Sequence, residues 1–185
     1  LGLLDDDIYH PVAAACERII NGEFHDQFVV EIIQGGAGTS TNMNANEVIA
    51  NVALEIIGKE KGDYDAISPL GHVNMSQSTN DTYPTALLVG FLKEYDPLLV
   101  AIKALSDSFH AKGVEFAGII KMGRTQLQDA VPMSLGQEFT AFGNTLLDDI
   151  KRLEEMSQLF LEVNLGATAI GTGINSHLDY PKIAV

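Results

Sequence analysis

Two apolar seams at heptad spacing constrain the fold of this chain more than any other feature. The first seam consists of Phe91, Tyr95, Leu98, Ile102, Leu105 and Phe109. The second consists of Leu135, Phe139, Phe142, Leu146, Ile150, Leu153, Met156 and Phe160. Spacings of three and four residues place each seam on one face of a long helix. Two such helices leave an apolar face open, so we predict a helical bundle that further sequence or other subunits complete.

The segments around the seams have their own signals. The first helix is predicted from Pro84 to about Lys112, with Pro97 interrupting the seam and bending the helix. The stretch from Lys121 to Pro132 separates the two seams, and its polar character predicts a loop.

Shorter elements are predicted before the seams. Asp5–Asp7 can cap a helix that runs to about Ile20, and Gly22 is suited to end it. The β-branched segment Phe28–Gln34 predicts a short strand or extended chain. Apolar residues at helical spacing predict a further helix over Asn44–Gly58.

This contrast between short elements and long seams predicts the domain organisation. Residues 1–76 are expected to form part of a small N-terminal domain. Residues 77–185 are expected to form the first part of a central helical-bundle domain. The predicted fold class is therefore mainly α, and the bundle is incomplete.

Composition and charge exclude several classes of function. The formal net charge of −14 argues against binding to nucleic acid or to an anionic membrane surface, since both need a basic surface. The single cysteine, Cys16, cannot form a disulfide within the chain, and a buried thiol is the expected state. No run reaches the ~18 apolar residues of a membrane span. These features predict a cytoplasmic protein.

Metal binding is not indicated by the histidines. None stands three or four residues from another, which is the spacing of a metal pair on a helix. The five are His10, His25, His72, His110 and His177. We therefore expect neither a metal site nor a cofactor, although divalent-metal activation is not readable from sequence.

Two polar junctions carry the chemistry of an anion site. In Gln34–Glu47 a glycine-rich run leads into hydroxyls and amides that open a helix, and Ser76–Asp81 repeats this chemistry. Backbone N–H groups at a helix start bind small anions. The alternative for both junctions is a capping run, in which these side chains only satisfy the free N–H groups of the helix.

Two later segments have similar alternatives. Gly123–Ala130 holds an arginine, a threonine and two amides, which suit a carboxylate, but Arg124 can equally pair with Asp129. The glycines of Asn164–Asn175 permit positive φ or a close approach of the backbone.

Together these segments resemble the aspartase/fumarase superfamily. The resemblance lies in Gln34–Glu47, His72–Thr85, Lys121–Glu138 and Gly166–Asn175, in this order and at compatible spacing. The aspartase branch is nearer, because fumarases of this class usually carry a serine-containing variant of the first segment and Arg-Thr-His where this chain has Arg-Thr-Gln at 124–126. The resemblance implies a small N-terminal domain, a central bundle of long helices and a homotetramer with active sites shared between subunits.

The resemblance also implies an activity and a set of binding residues. The activity is the reversible elimination of ammonia from L-aspartate to give fumarate. The positions that match the family's substrate-binding residues are Thr39, Ser78, Thr79, Asn80 and Thr125. Gln126 stands where many members have histidine. Because glutamine does not titrate near neutral pH, an acid–base role does not transfer to it, but it can still donate a hydrogen bond.

The family's general base is a serine on a mobile loop, and no segment of this chain matches that loop. We therefore expect a central fragment of such an enzyme, with no catalytic residue of its own and no activity alone. Two alternatives stay open. One is a class II fumarase, which hydrates fumarate to L-malate, and the other is a non-catalytic oligomeric helical scaffold.

Overall fold

The structure, a computed structural model, describes residues 1–33 and 38–185. The chain forms two compact units, residues 1–87 with 163–185 and residues 88–162. The helices are α1 (Asp6–Ile20), α2 (Thr39–Ile56), α3 (Thr79–Glu115), α4 (Leu135–Ser157) and α5 (Tyr180–Ile183), and the strands are β1 (Ile120–Thr125) and β2 (Gln128–Ser134). The mainly α fold class is confirmed, whereas the domain boundary after residue 76 stays a prediction.

In the first unit, α1 and α2 pack on a small apolar core. Its buried members are Ala15, Val48, Ala50, Val52, Ala53, Leu54 and Ile67. The predicted bounds of α1 are confirmed, and the helix ends in a Schellman arrangement in which the N–H of Glu23 donates to the carbonyl of Arg18 at 3.1 Å. Three alanines and two valines make up most of this core.

The connections in this unit are irregular, and of the two alternatives predicted for Phe28–Gln34 the short strand is absent from the described residues. Residues 28–33 form no strand, and Gln34 lies outside the described residues. A 3₁₀ turn, His25–Gln27, follows α1, and a π-helical turn, Pro69–Val73, precedes α3 and lies beside α2. The helix α2 begins at Thr39, five residues before the predicted start at Asn44.

In the second unit, the two predicted seams meet. The rings of Phe109 and Phe142 lie 5.6 Å apart, and those of Phe91 and Phe160 lie 5.8 Å apart. An early residue of α3 thus lies opposite the end of the second seam, so the two helices run antiparallel. Pro97 lies inside α3 without ending it, so the predicted interruption concerns the seam and not the helix.

The predicted loop at Lys121–Pro132 is wrong. These residues form an antiparallel hairpin in which Thr125 pairs with Gln128. Its two-residue turn has φ of 51° at Gln126 and 63° at Leu127, the positive values that a type I′ hairpin turn requires. The sequence carries no Asn-Gly or Asp-Gly there, so the usual hairpin signal is missing.

Among the described residues, no helix combines the length and the apolar character needed to span a membrane.

Candidate functional site

The start of α3 is capped by the side chains of Ser78 and Asp81. The N–H of Ser78 donates to Oδ1 of Asp81 at 2.8 Å, and the N–H of Asn80 donates to Oγ of Ser78 at 3.3 Å. The capping alternative is therefore correct for this junction. It does not exclude binding, because a serine oxygen that accepts a hydrogen bond keeps its own O–H to donate.

Asp81 is a functional candidate that sequence reasoning missed. Its side chain is fully buried, and its second oxygen accepts from the N–H of Gly166 at 3.2 Å and from the N–H of Thr168 at 2.9 Å. The Ser-x-x-Asp spacing signals the cap, but no local signal marks partners that lie 85 and 87 residues further along the chain.

Asn80 joins the same two segments on the exposed side. Its Nδ2 donates to the carbonyl of Ala169 at 2.8 Å, while Nδ2 of Asn164 donates to the carbonyl of Asn80 at 3.1 Å. These bonds orient the side-chain amide, whose Oδ1 has no donor among the described residues and can accept one more hydrogen bond.

Thr79 lies within a buried amide network that reaches the first junction. Its Oγ1 accepts from Nδ2 of Asn42 at 3.0 Å. Oδ1 of Asn74 accepts from Nδ2 of Asn42 at 3.2 Å and from Nδ2 of Asn46 at 3.0 Å. The amides of α2 therefore hold the start of α3 in place.

Thr39 is the exposed first residue of α2, after Gly38 as N-cap. Gly38 has φ of 83°, and a Cβ there would lie 2.5 Å from the Tyr83 ring, so a larger residue does not fit. No hydroxyl caps this helix at Gly38, and the described residues offer the Thr39 side chain no hydrogen-bond partner. Residues 34–37 of the predicted anion site Gln34–Glu47 lie outside the described residues.

The remaining two of the six predicted substrate-binding residues belong to the second unit. Thr125 ends β1 and Gln126 begins the turn, and both are exposed. Arg124 pairs with Asp129 at 3.1 Å, so the structural alternative for this arginine is correct. Positive φ at Gln126 and Leu127 is strained for residues other than glycine, and such strain clusters at functional sites.

The glycine-rich segment after α4 adopts the expected conformations. Gly166, Gly171 and Gly173 all have positive φ. Thr168 does too, at 62°, although it is β-branched, and its buried Oγ1 has no partner among the described residues. This segment is held against the start of α3 by Asp81 and Asn80.

The first unit therefore brings three of the four polar segments together, through Asn42, Asp81 and Asn80. A separate cleft of about 520 Å³ in the same unit is lined by Leu1–Leu4, His72, Gln77 and Tyr180, and by none of the six predicted residues. No group of three or more His, Cys, Asp or Glu in the described part of the chain is placed to hold a metal ion.

Known proteins resemble this chain along its whole length. The aspartate ammonia-lyase of Pseudomonas aeruginosa is 60% identical over 186 residues, covering 100% of this chain and 39% of that protein. The aspartate ammonia-lyase of Helicobacter pylori is 55% identical over 99% of this chain. The chain thus spans about two fifths of the length of these relatives, 39% in each case.

Two solved structures superpose on nearly the whole chain. A fumarate lyase:delta crystallin from Brucella melitensis bound to cobalt superposes with a TM-score of 0.85 at 57% identity, covering 98% of this chain and 39% of that one. A class II fumarase from Schistosoma mansoni superposes with a TM-score of 0.82 at 33% identity, covering 98% and 38%. A profile of the family described as lyase matches residues 2–185. Because this match covers nearly the whole sequence, the chain belongs to that lyase family.

Proposed function

We propose that the protein carrying this chain is an aspartate ammonia-lyase, which converts L-aspartate reversibly to fumarate and ammonia. The observation that carries the proposal is the 60% identity to an aspartate ammonia-lyase across the entire chain. That relative is more than twice as long as this chain, so the proposal concerns the activity of the protein and not of these residues alone.

The proposed reaction begins when a base removes a proton from Cβ of L-aspartate. The electron pair left on Cβ forms the carbon–carbon double bond as the bond to nitrogen breaks, and ammonia leaves. Negative charge builds up on the neighbouring carboxylate before ammonia departs. Hydrogen-bond donors placed in advance stabilise such charge, because they need no rearrangement during the reaction.

In the first unit, Ser78 suits this donor role, and Asn80 suits binding of the substrate ammonium group. Both belong to a helix start held by the Ser78–Asp81 cap and by two hydrogen bonds to the 164–169 segment, so their positions are set before substrate arrives. The O–H of Ser78 is a donor for a carboxylate, and Oδ1 of Asn80 is an acceptor for the substrate ammonium group.

Thr39, Thr79, Thr125 and Gln126 complete the proposed binding set. Thr39 adds an exposed hydroxyl at the positive end of α2. The Thr79 oxygen already accepts from Asn42, so this residue contributes its hydroxyl proton alone. Gln126 is neutral at all physiological pH values, so it adds no ionisation to the pH profile of the enzyme.

A class II fumarase is the second candidate, favoured by the superposition on the Schistosoma enzyme. The identity to that protein is 33%, against 60% to the Pseudomonas aspartate ammonia-lyase, so the ammonia-lyase is preferred. Assays of the protein with L-aspartate and L-malate in parallel separate the two. Turnover of L-malate with no turnover of L-aspartate would select the fumarase.

A non-catalytic scaffold is a third reading, and alanine variants test it. Asn80→Ala and Thr39→Ala should each lower kcat/KM for L-aspartate at least about tenfold, a loss typical of a removed substrate hydrogen bond. The matched control is Asn51→Ala, since Asn51 also holds a loop, through Gly62, but lies in none of the four polar segments. If the protein is a non-catalytic scaffold, neither the wild type nor any variant converts L-aspartate.

We further propose a homotetramer with shared active sites, located in the cytoplasm and needing no cofactor. Seam residues support the assembly, since Leu98 and Leu105 are 47% and 49% exposed within this chain. Light scattering should give four times the subunit mass, and a monomer would contradict the assembly. Activity should survive dialysis against a chelator.

The 185-residue chain alone is expected to show no turnover, because no residue in it matches the family's base. Fumarate absorbance at 240 nm provides the assay. Formation of fumarate from L-aspartate by the pure chain would place the base among these residues and contradict this expectation.

A further inference from the structure

Asp81 is a fully buried carboxylate, and its four hydrogen-bond donors among the described residues are all uncharged. They are the N–H groups of Ser78, Gly166 and Thr168 and the hydroxyl of Thr82, at 2.8, 3.2, 2.9 and 3.2 Å. A buried carboxylate is costly unless hydrogen bonds replace its water, and bonds to a charged acceptor are among the stronger ones. This arrangement therefore stabilises one particular placement of the donors.

The two carboxylate oxygens of Asp81 accept hydrogen bonds from two different segments. Oδ1 accepts from Ser78 and Thr82 at the start of α3. Oδ2 accepts from Gly166 and Thr168 in the distant glycine-rich segment. One carboxylate thus fixes the distance between two segments that the chain itself does not connect.

The conformation held by Oδ2 is unfavourable on its own. Thr168 has φ of 62°, a left-handed conformation that β-branched residues rarely adopt, and it is 6% exposed with its hydroxyl unpartnered in the described structure. Strain of this kind persists only where surrounding contacts enforce it. The bond from the Thr168 N–H to Asp81 is such a contact.

The held segment in turn orients Asn80. The carbonyl of Ala169, next to Thr168, accepts from Nδ2 of Asn80, and Asn164 donates to the Asn80 backbone. A shift of residues 164–169 would therefore turn the Asn80 amide and displace its Oδ1.

We infer that Asp81 is a positioning residue for substrate binding: it clamps residues 166–168 to the start of α3 and so sets the orientation of Ser78 and Asn80. The inference rests on the proposed function. Asp81 itself makes no contact with substrate in this proposal. Its effect passes through Ser78 and Asn80.

Asp81→Asn in the whole protein is the direct test, because it keeps the shape but replaces one acceptor oxygen with an NH₂ group. That group faces N–H donors whichever way the amide turns. The KM for L-aspartate should rise at least about tenfold, the factor that about 1.4 kcal/mol produces, with a smaller fall in kcat. Hydrogen exchange at residues 164–169 should become faster.

Asn51→Ala is the matched control, since it removes a clamp in which Oδ1 accepts from the N–H of Gly62 at 2.8 Å. It should lower Tm but leave KM within twofold of wild type, within about 0.4 kcal/mol. The double variant Asp81→Asn with Thr168→Gly should have a lower KM than Asp81→Asn alone, because glycine adopts positive φ without an enforcing contact.

Asn164→Asp carries the test if Asp81→Asn fails to fold. Asn164 is exposed, and a carboxylate there repels the Asn80 carbonyl, so KM should rise without loss of the fold. An unchanged KM for L-aspartate in folded Asp81→Asn overturns the inference. If Asp81→Asn does not fold, an unchanged KM in folded Asn164→Asp overturns it. So does unchanged exchange protection of residues 164–169 in Asp81→Asn. A wild-type protein that does not act on L-aspartate overturns the proposed function first, and this inference with it.

Discussion

Asn164 supplies the hydrogen bond that the Asn80 carbonyl would otherwise lack. In a regular helix that carbonyl accepts from the N–H four residues on, but residue 84 is proline and has none. Nδ2 of Asn164 takes this place at 3.1 Å. Pro84 therefore leaves α3 intact while opening one acceptor for the segment after α4.

A double-mutant cycle tests this relationship. Asn164→Ala alone should lower the free energy of unfolding by about 0.5–1.5 kcal/mol, the usual net value of one hydrogen bond. In a Pro84→Ala background the new N–H at residue 84 can bond to the Asn80 carbonyl, so the same substitution should cost much less. Equal costs in both backgrounds, measured by urea denaturation, would contradict the account.

Gly38 should tolerate no side chain. Gly38→Ala combines φ of 83° with a Cβ placed 2.5 Å from the Tyr83 ring, so we expect a loss of at least about 2 kcal/mol from strain and displacement. Gly22→Ala is the control, because Gly22 has φ of 99° but open space around its Cβ position. Thermal unfolding should place Gly38→Ala below Gly22→Ala, and the reverse order would count against the packing described.

The hairpin turn should gain stability from glycine. Leu127 has φ of 63° and is 93% exposed, so Leu127→Gly removes backbone strain without removing a packed side chain. The expected gain is about 0.5–1 kcal/mol. Leu127→Ala, which keeps the Cβ, should show no such gain. If the two variants have the same Tm, strain at this turn is not the cause.

The thiol of Cys16 should react slowly. Burial, followed by the negative charge of Glu17, raises the pKa of Cys16 above its ordinary value of 9.0. Because the thiolate is the reactive form, the midpoint of alkylation by iodoacetamide should lie above pH 9.0, and Glu17→Gln should lower it. A midpoint below that of a free cysteine peptide would contradict this assignment.

The same shift has a consequence for stability. The folded state keeps the Cys16 proton to a higher pH than the unfolded chain does. The stabilisation is therefore fully present below the unfolded pKa and is lost as pH rises through the folded pKa. Cys16→Ser should flatten this alkaline decline.

Local periodicity predicted the long helices well. The seams through Phe91 and Phe142 repeat within a few turns, so their pattern is visible without knowledge of the fold. The hairpin was missed because Gln126 and Leu127 have positive φ, whereas the usual sequence signal for such a turn is Asn-Gly or Asp-Gly.

The clamp at Asp81 was missed for a different reason. Its spacing from Ser78 predicts a cap, and the cap is present. Its bond to Gly166 crosses 85 residues, and only packing of the unit brings the two together. The family resemblance located the neighbouring residues Ser78, Thr79 and Asn80, but these binding roles remain predictions.

The most direct test of the proposed ammonia-lyase is the stoichiometry of its products. Purified protein carrying this sequence is incubated with L-aspartate, and fumarate and ammonia are measured in the same sample. We predict equal molar amounts of both products, at a rate that Asn80→Ala lowers at least about tenfold. Absence of ammonia from L-aspartate, together with fumarate from L-malate, would contradict it and identify a fumarase.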